Sequence, residues 1–187
     1  MRRLAPLLLL AVLALASVAQ AEEARMTPVP ALDLQRYSGT WYEIARLPNP
    51  FQKKCAHSVV VRYTVRADGR LDVVNECVEA DGRPSRAAGV ARLADPKGPP
   101  SQLKVRFAPA FLSFLSAVWG DYWVIDLAPD YSYAVVGEPK RRYLWILSRT
   151  PRMPEPRYAE ILGRAARLYD VSRVVRTEQP QSPAPAP

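Results

Sequence analysis

From residue 41 to residue 149 the chain is a succession of short alternating segments parted by turns, and that rhythm limits the folds open to it. "SVVVRYTV" puts Val59, Val61, Tyr63 and Val65 on one face and Val60, Arg62, Thr64 and Arg66 on the other. That is the period of two of a half-buried strand. Asp68-Gly69 follows, the strongest short hairpin signal. Leu71, Val73, Asn75 and Cys77 then alternate with Asp72, Val74, Glu76 and Val78. Asp81-Gly82 turns the chain into a weaker strand from about Ser85 to Leu93, and "DPKGPP" breaks it. "QLKVRF" sets Leu103, Val105 and Phe107 on one face. After an apolar loop come "DYWVIDLA", "YSYAVVGE" and "RRYLWILSR", parted by Pro129-Asp130 and by Glu138 to Arg141. With the strand that opens at Trp41, eight strands follow one another with no helix between them. An all-β fold is predicted: an eight-stranded antiparallel up-and-down β-barrel. Closure removes the exposed sheet edges, and eight strands enclose side chains or one small ligand.

The last three strands are apolar on both faces. Trp123, Ile125 and Leu127 oppose Tyr122 and Val124, and Leu144 and Ile146 oppose Tyr143, Trp145 and Leu147. One face therefore needs an outside cover. "RYAEILGRAARLYD" supplies it, with Ile161, Leu162, Ala165, Leu168 and Tyr169 at helical spacing, and a short strand at Val171 to Val175 is expected after it. Arg62, Arg66, Asp72 and Glu76 face outward on the earlier strands, where lipid would not tolerate them. A water-soluble barrel is predicted rather than an outer-membrane one.

The chain opens "MRRLAPLLLLAVLALASVAQAEE". Two arginines, an apolar run and a small-x-small site predict a cleaved signal peptide over residues 1–21. A membrane anchor competes, but the run falls short of the ~20 residues that cross a bilayer, and Glu22 and Glu23 follow at once. The layout is the prokaryotic secretory kind and predicts a periplasmic protein, with outer-membrane association left open. Residues 22–31 read as a lead-in, 32–178 as one domain, and 179–187 ("QPQSPAPAP") as a disordered tail. The net charge of +8 suits an anionic membrane surface. No helix carries a basic face, which argues against nucleic acid.

In an exported chain the two cysteines, Cys55 and Cys77, are expected to form one disulfide. A thiol nucleophile paired with His57 is the weaker reading. With one histidine, no metal-ligand cluster, no Gly-rich phosphate loop and no Ser-His-Asp set, neither an enzyme nor a metal or cofactor is predicted.

Three short motifs now take on meaning. "GTWYEIAR" carries Gly39-Thr40-Trp41 at the first strand, Pro129-Asp130-Tyr131 lies at the turn between the sixth and seventh, and Arg149 ends the eighth in "LWILSRTP". The three in order, with a helix after them, resemble the lipocalin family, in the branch of bacterial lipocalins, plant temperature-induced lipocalins and apolipoprotein D. The usual threonine before Asp130 is missing, as is the lipid-anchoring cysteine common in bacterial relatives. The resemblance implies that the Arg149 guanidinium plugs one barrel end against the Trp41 ring. Gly39, Trp41, Asp130, Tyr131 and Arg149 are thus structural. Phasing the strands by the same resemblance implies an apolar cup lined by Val59, Val61, Tyr63, Leu71, Val73, Leu103, Val105, Phe107, Tyr122, Val124, Tyr133, Val135, Tyr143 and Trp145. A filled core is the alternative. Inward Glu43, Asn75 and Asp126 are either head-group partners or a satisfied polar network.

The loop "FAPAFLSFLSAVWG" holds Phe111, Leu112, Phe114, Leu115 and Trp119. So apolar a loop needs a use: peripheral contact with a membrane or partner, a lid, or a homodimer contact, so that monomer and homodimer both stay open. The function expected is binding and transport of a fatty acid, lysophospholipid or similar lipid in the periplasm, in membrane maintenance or stress response. An interaction or inhibitor protein on the same scaffold is the alternative, and a barrel enzyme, which a few lipocalins are, a more distant one.

Overall fold

A computed structural model describes residues 26–180. The signal peptide expected over 1–21, and the tail beyond 180, lie outside the described residues. One sheet contains β1 (Gly39–Arg46), β2 (Cys55–Val65), β3 (Leu71–Glu79), β4 (Pro84–Leu93), β5 (Gln102–Arg106), β6 (Gly120–Leu127), β7 (Tyr133–Gly137), β8 (Leu144–Ser148) and β9 (Val175–Arg176). Its order is β2-β3-β4-β5-β6-β7-β8-β1-β9, and β1 also pairs with β2, which closes an eight-stranded antiparallel barrel. The expected hairpin closes at Asp68-Gly69, where Arg66 N donates to Arg70 O at 2.8 Å and Gly69 takes a φ of 77°. The Cys55–Cys77 disulfide ties β2 to β3, with Cα atoms 5.6 Å apart. Its 22-residue separation corresponds to about 3 kcal/mol in the chain-entropy account. Both sulfurs are bonded to each other, so the thiol-nucleophile reading fails.

The base of the barrel is the end where β1 begins; the mouth is the end where β1 stops. Two apolar cores lie on opposite sides of the wall. The inner one includes Trp41, Val61, Tyr63, Leu71, Val73, Leu103, Val124, Ala134, Val136 and Leu147. The outer one lies between the wall and α2 (Glu155–Ala165) and includes Ile44, Ala45, Tyr133, Val135, Leu144 and Ile146. Helix α2 buries Tyr158, Ile161 and Ala165, an i, i+3, i+7 stripe. Glu155 lies in its first turn and Arg164 in its last, the favourable polarity for the helix dipole.

Two bulges decide which side chains face inward. In β1 the register shifts between Glu43 and Ala45. Glu43 and Arg46 then oppose inward Leu147 and Trp145, while Ile44 and Ala45 join the outer core. In β6 the shift falls between Val124 and Asp126, so Asp126 turns outward to α2 and Leu127 inward. The expected inward Asp126 is thereby corrected, as is the expected pairing of Leu127 with Trp123 and Ile125 on one face.

Strand β7 also departs from its expected phase. Val136 opposes Val124 and Trp145, and Ala134 opposes Leu127 and Leu147, so the even residues face inward. Tyr133 and Val135 therefore do not line the interior; they pack beneath α2. "YAVV" is apolar on both faces, so alternation gives no phase, and cross-strand register decides it.

The C-terminal segment differs too. Asp170 accepts from Ser172 N and starts a 3₁₀ turn over Val171–Arg173, so the strand is only Val175–Arg176. That strand pairs with the mouth end of β1, where β2 has splayed away. Ser58 N donates to Glu178 O on the other side. The segment thus fills a seam between β1 and β2. Gln179, assigned to the tail by composition, donates through Nε2 to both Glu43 O and Val59 O at 2.8 Å.

Candidate functional site

The base is tightly paired. Trp41 is fully buried, and the Arg149 guanidinium carbon lies 3.8 Å from its ring centroid. Arg149 also donates to Thr40 O at 3.0 Å and Arg36 O at 2.6 Å, and Trp41 Nε1 donates to Tyr37 O at 2.7 Å. A desolvated cation–π contact contributes about 2 kcal/mol. Gly39 has a φ of 93°, and a Cβ there would stand 3.3 Å from Arg149 Nη1, so the motif glycine makes room for the plug. Short helix α1 (Leu34–Tyr37) is capped by Asp33, and Tyr131 OH accepts from Asp33 N at 2.9 Å. Arg36 stacks 4.0 Å from the Tyr131 ring. Asp130 accepts from Ser132 N at 3.0 Å; hydrogen bonding from Ser132 is the first cause that holds its carboxyl below the usual value.

Above the plug lies a tyrosine floor. Tyr122 OH is 2.7 Å from both Tyr37 OH and Tyr63 OH. Burial raises all three hydroxyls above the ordinary tyrosine range, so they stay neutral. Three hydroxyls carry three protons, and two contacts use two of them. One O–H donor is left without an acceptor among the described residues, a costly state in an apolar setting. If Tyr37 and Tyr63 both donate to Tyr122, the spare donor is Tyr122 itself.

The expected cup is therefore packed in its lower part, and its lining is less buried toward the mouth. Val61, Tyr63, Leu71, Val73, Leu103 and Val124 are buried against one another. Val105, Tyr122 and Trp145 are inward but only half-buried. Val59 is buried beside the Gln179 seam. Phe107 stops at the rim, 43 % exposed, with its ring against Gly89. Tyr143 is also at the rim, between Trp145 and Phe51.

The mouth carries a polar network. Glu43 accepts from Arg46 Nη1 at 2.7 Å, from Gln52 Nε2 at 2.6 Å and from Thr177 Oγ1. Gln52 Oε1 accepts from Trp145 Nε1 and Asn49 Nδ2, each at 2.8 Å. Glu43 is thus committed within the protein. Asp126 is spent outside, on Arg164 Nε at 2.8 Å. Asn75 opposes inward Val61 and stays half-buried. Gln179 Oε1 is buried with no hydrogen-bond partner. The sequence reading missed Gln52, Thr177 and Gln179; only the fold brings residues so far apart to one rim.

The loop between β5 and β6 leans outward rather than inward. Trp119 lies against Arg92 and Arg106 of the outer wall, with its Nε1 donating to Ser113 O at 2.8 Å. Leu112 is half-buried, whereas Phe111 and Phe114 are 74 % and 78 % exposed. Leu115 is exposed as well, as is Phe51 from the β1–β2 loop.

The chain is thus a closed up-and-down barrel, stoppered at one end and apolar within. The lipocalin-like domain family matches residues 32–179, and the chain belongs to the lipocalins. It is 42 % identical over 164 residues to temperature-induced lipocalin-1 of Arabidopsis thaliana, covering 87 % of each chain. It is 37 % identical over 159 residues to the outer membrane lipoprotein Blc of Escherichia coli K12, covering 84 % of this chain and 85 % of that one. The fold is shared with insecticyanin of the tobacco hornworm, at a TM-score of 0.63, 19 % identity and coverage of 83 % and 85 %. Lipocalins are in general binding proteins for small hydrophobic ligands rather than enzymes.

Proposed function

We propose that this lipocalin binds a single-chain lipid in the upper half of its barrel and exchanges it with a membrane in the bacterial envelope. The observation that carries the reading is the half-buried inner lining that runs from Tyr122 in the tyrosine floor past Val105 to Trp145 at the polar mouth. Burying an acyl chain there gains about 0.8 kcal/mol per CH₂. The spare tyrosine donor suits a neutral acceptor, such as an ester carbonyl, at the inner end. A carboxylate lowered to the floor would be an unpaired buried charge, so a fatty acid is expected to keep its carboxylate at the mouth beside Arg46. The similarity to an outer membrane lipoprotein supports an envelope setting, as does the apolar opening segment of the sequence.

The exposed Phe51, Phe111, Phe114 and Leu115 all belong to loops at the mouth end. A rim of this kind favours shallow insertion into a bilayer, mouth first. Changing Phe111, Phe114 and Leu115 together to serine is expected to abolish co-sedimentation with phosphatidylglycerol vesicles while binding of lysophospholipid from solution persists. Unchanged co-sedimentation would refute the docking role; absence of saturable lysophospholipid binding by the unmodified, delipidated protein would refute the carrier role.

A further inference from the structure

On the outer wall beside the β5–β6 loop is a cleft of about 180 Å³ lined by Arg70, Arg92, Arg106, Ala110, Ser113 and Trp119. The guanidinium carbons of Arg92 and Arg106 lie 4.4 and 5.2 Å from the centroid of the same Trp119 ring. Two cations are thus held within about one Debye length of each other. Neither has an ion-pair partner among the described residues. Arg70, the third, reaches only Asp68 at 3.8 Å, and both side chains of that pair are more than 40 % exposed. Lys104, the nearest further cation on the outer face of β5, is already matched by Asp121 at 2.7 Å.

Arg106 is the informative member. It is only 8 % exposed, it lines the cleft, and one of its amino groups, Nη1, donates to Ala108 O. Its Nε is buried and has no acceptor. A buried guanidinium with an unspent donor and no counter-charge is costly, and the cost falls when an anion supplies acceptors. Trp119 is pinned by its bond to Ser113 O, so the ring on which both guanidiniums rest is fixed before any ligand arrives. Two neighbouring arginine forks suit an oxyanion with several oxygens.

We propose that this cleft is a second binding site, distinct from the barrel interior, and that it takes a phosphate oxyanion. The phosphodiester of a lipid head group and inorganic phosphate share that chemistry. Ala110 and Ser113 border the cleft and flank Phe111 and Phe114 along the loop. A head group beside the inserted loop is therefore within the site's neighbourhood.

The test uses the mature chain at low ionic strength, with two probes: inorganic phosphate followed by calorimetry and tryptophan fluorescence, and phosphatidylglycerol vesicles followed by co-sedimentation. The variants are R92Q and R106Q, with R83Q as the control, an exposed arginine that pairs with Asp81 at 2.7 Å. Arg92 is exposed, so R92Q is expected to fold normally, as a melting curve verifies. Saturable phosphate binding that weakens about tenfold in R92Q and R106Q but not in R83Q supports the site. Loss of binding to both probes means that either source serves. Loss with vesicles alone identifies the head group, and loss with inorganic phosphate alone the free ion. Equal binding of both probes by R92Q and the unmodified protein, or no saturable binding of either, overturns the proposal. Lysophospholipid binding by R92Q reads the barrel interior separately, so the failure of one site does not mimic the failure of the other.

Discussion

The two ends of this barrel are built on opposite terms. At the base, the groups of the plug are paired: Trp41 donates to Tyr37 O, Arg149 to two carbonyls, and Tyr131 accepts from Asp33 N. At the mouth, two buried polar atoms, Arg106 Nε and Gln179 Oε1, have none, and large aromatic rings face solvent. Paired buried groups hold one structure; unpaired ones and exposed apolar surface are costs kept where something else must bind. The base should therefore govern stability and the mouth should govern binding, with little exchange between the two.

The largest effect expected is at the base. Trp41→Ala removes a fully buried indole and leaves Arg149 without its ring, at a cost of about 3–5 kcal/mol. At roughly 2–4 °C per kcal/mol for a chain of this size, the Tm should drop by about 6–20 °C, or folding should fail. An unchanged melting curve would erase the contrast between the ends.

A smaller effect belongs to the tyrosine floor. Burial is the first cause that raises Tyr37, Tyr63 and Tyr122, and it also pushes Tyr169 up to about 12. Above about pH 10 the unfolded chain loses protons that the folded chain keeps, so stability falls as pH rises from there and is unaffected by these groups below it. Tyrosinate absorbance should rise in two steps, with the buried set ionising only as near-UV circular dichroism is lost. One smooth rise with folded-state signals intact would show that the floor is open to water.

The smallest effect on stability is expected at the rim. Changing Phe111, Phe114 and Leu115 to serine should shift stability by no more than about 0.5 kcal/mol, since these side chains are exposed. Vesicle association should nevertheless disappear. A large loss of stability would mean that the loop is part of the core, and the division between the ends would fail.

What was legible in the sequence follows the same division. The eight strands and the covering helix came from local signals: alternation, Asp-Gly turns and helical spacing. The disulfide came from the cysteine pair in a chain expected to be exported, and the roles of Gly39, Trp41 and Arg149 from the family resemblance of short motifs. Strand phase was legible where one face was polar, as with Arg62 and Thr64 opposite Val61 and Tyr63 on β2. It was not on β7, where Tyr133-Ala134-Val135-Val136 is apolar throughout and only pairing with β6 and β8 fixes the faces. The bulges in β1 and β6 were equally hidden, because an inserted residue leaves no mark on composition. They turned Arg46 inward and Asp126 outward. Gln179 looked like tail, yet together with Thr177 it seals the seam between β1 and β2. Arg92 and Arg106 carry no sequence signal that singles them out; only the fold sets them on Trp119.

The central claim is that the upper half of the barrel, above the tyrosine floor, holds the lipid chain. Titration of a lysophospholipid into the delipidated protein tests it most directly when the unmodified chain is compared with Val105→Trp, which extends a large ring from the inner wall into that space. The account predicts one bound lipid per barrel, with affinity reduced at least about tenfold in the variant by overpacking while vesicle association is retained. Equal affinity in a folded Val105→Trp protein would place the ligand elsewhere and contradict the account.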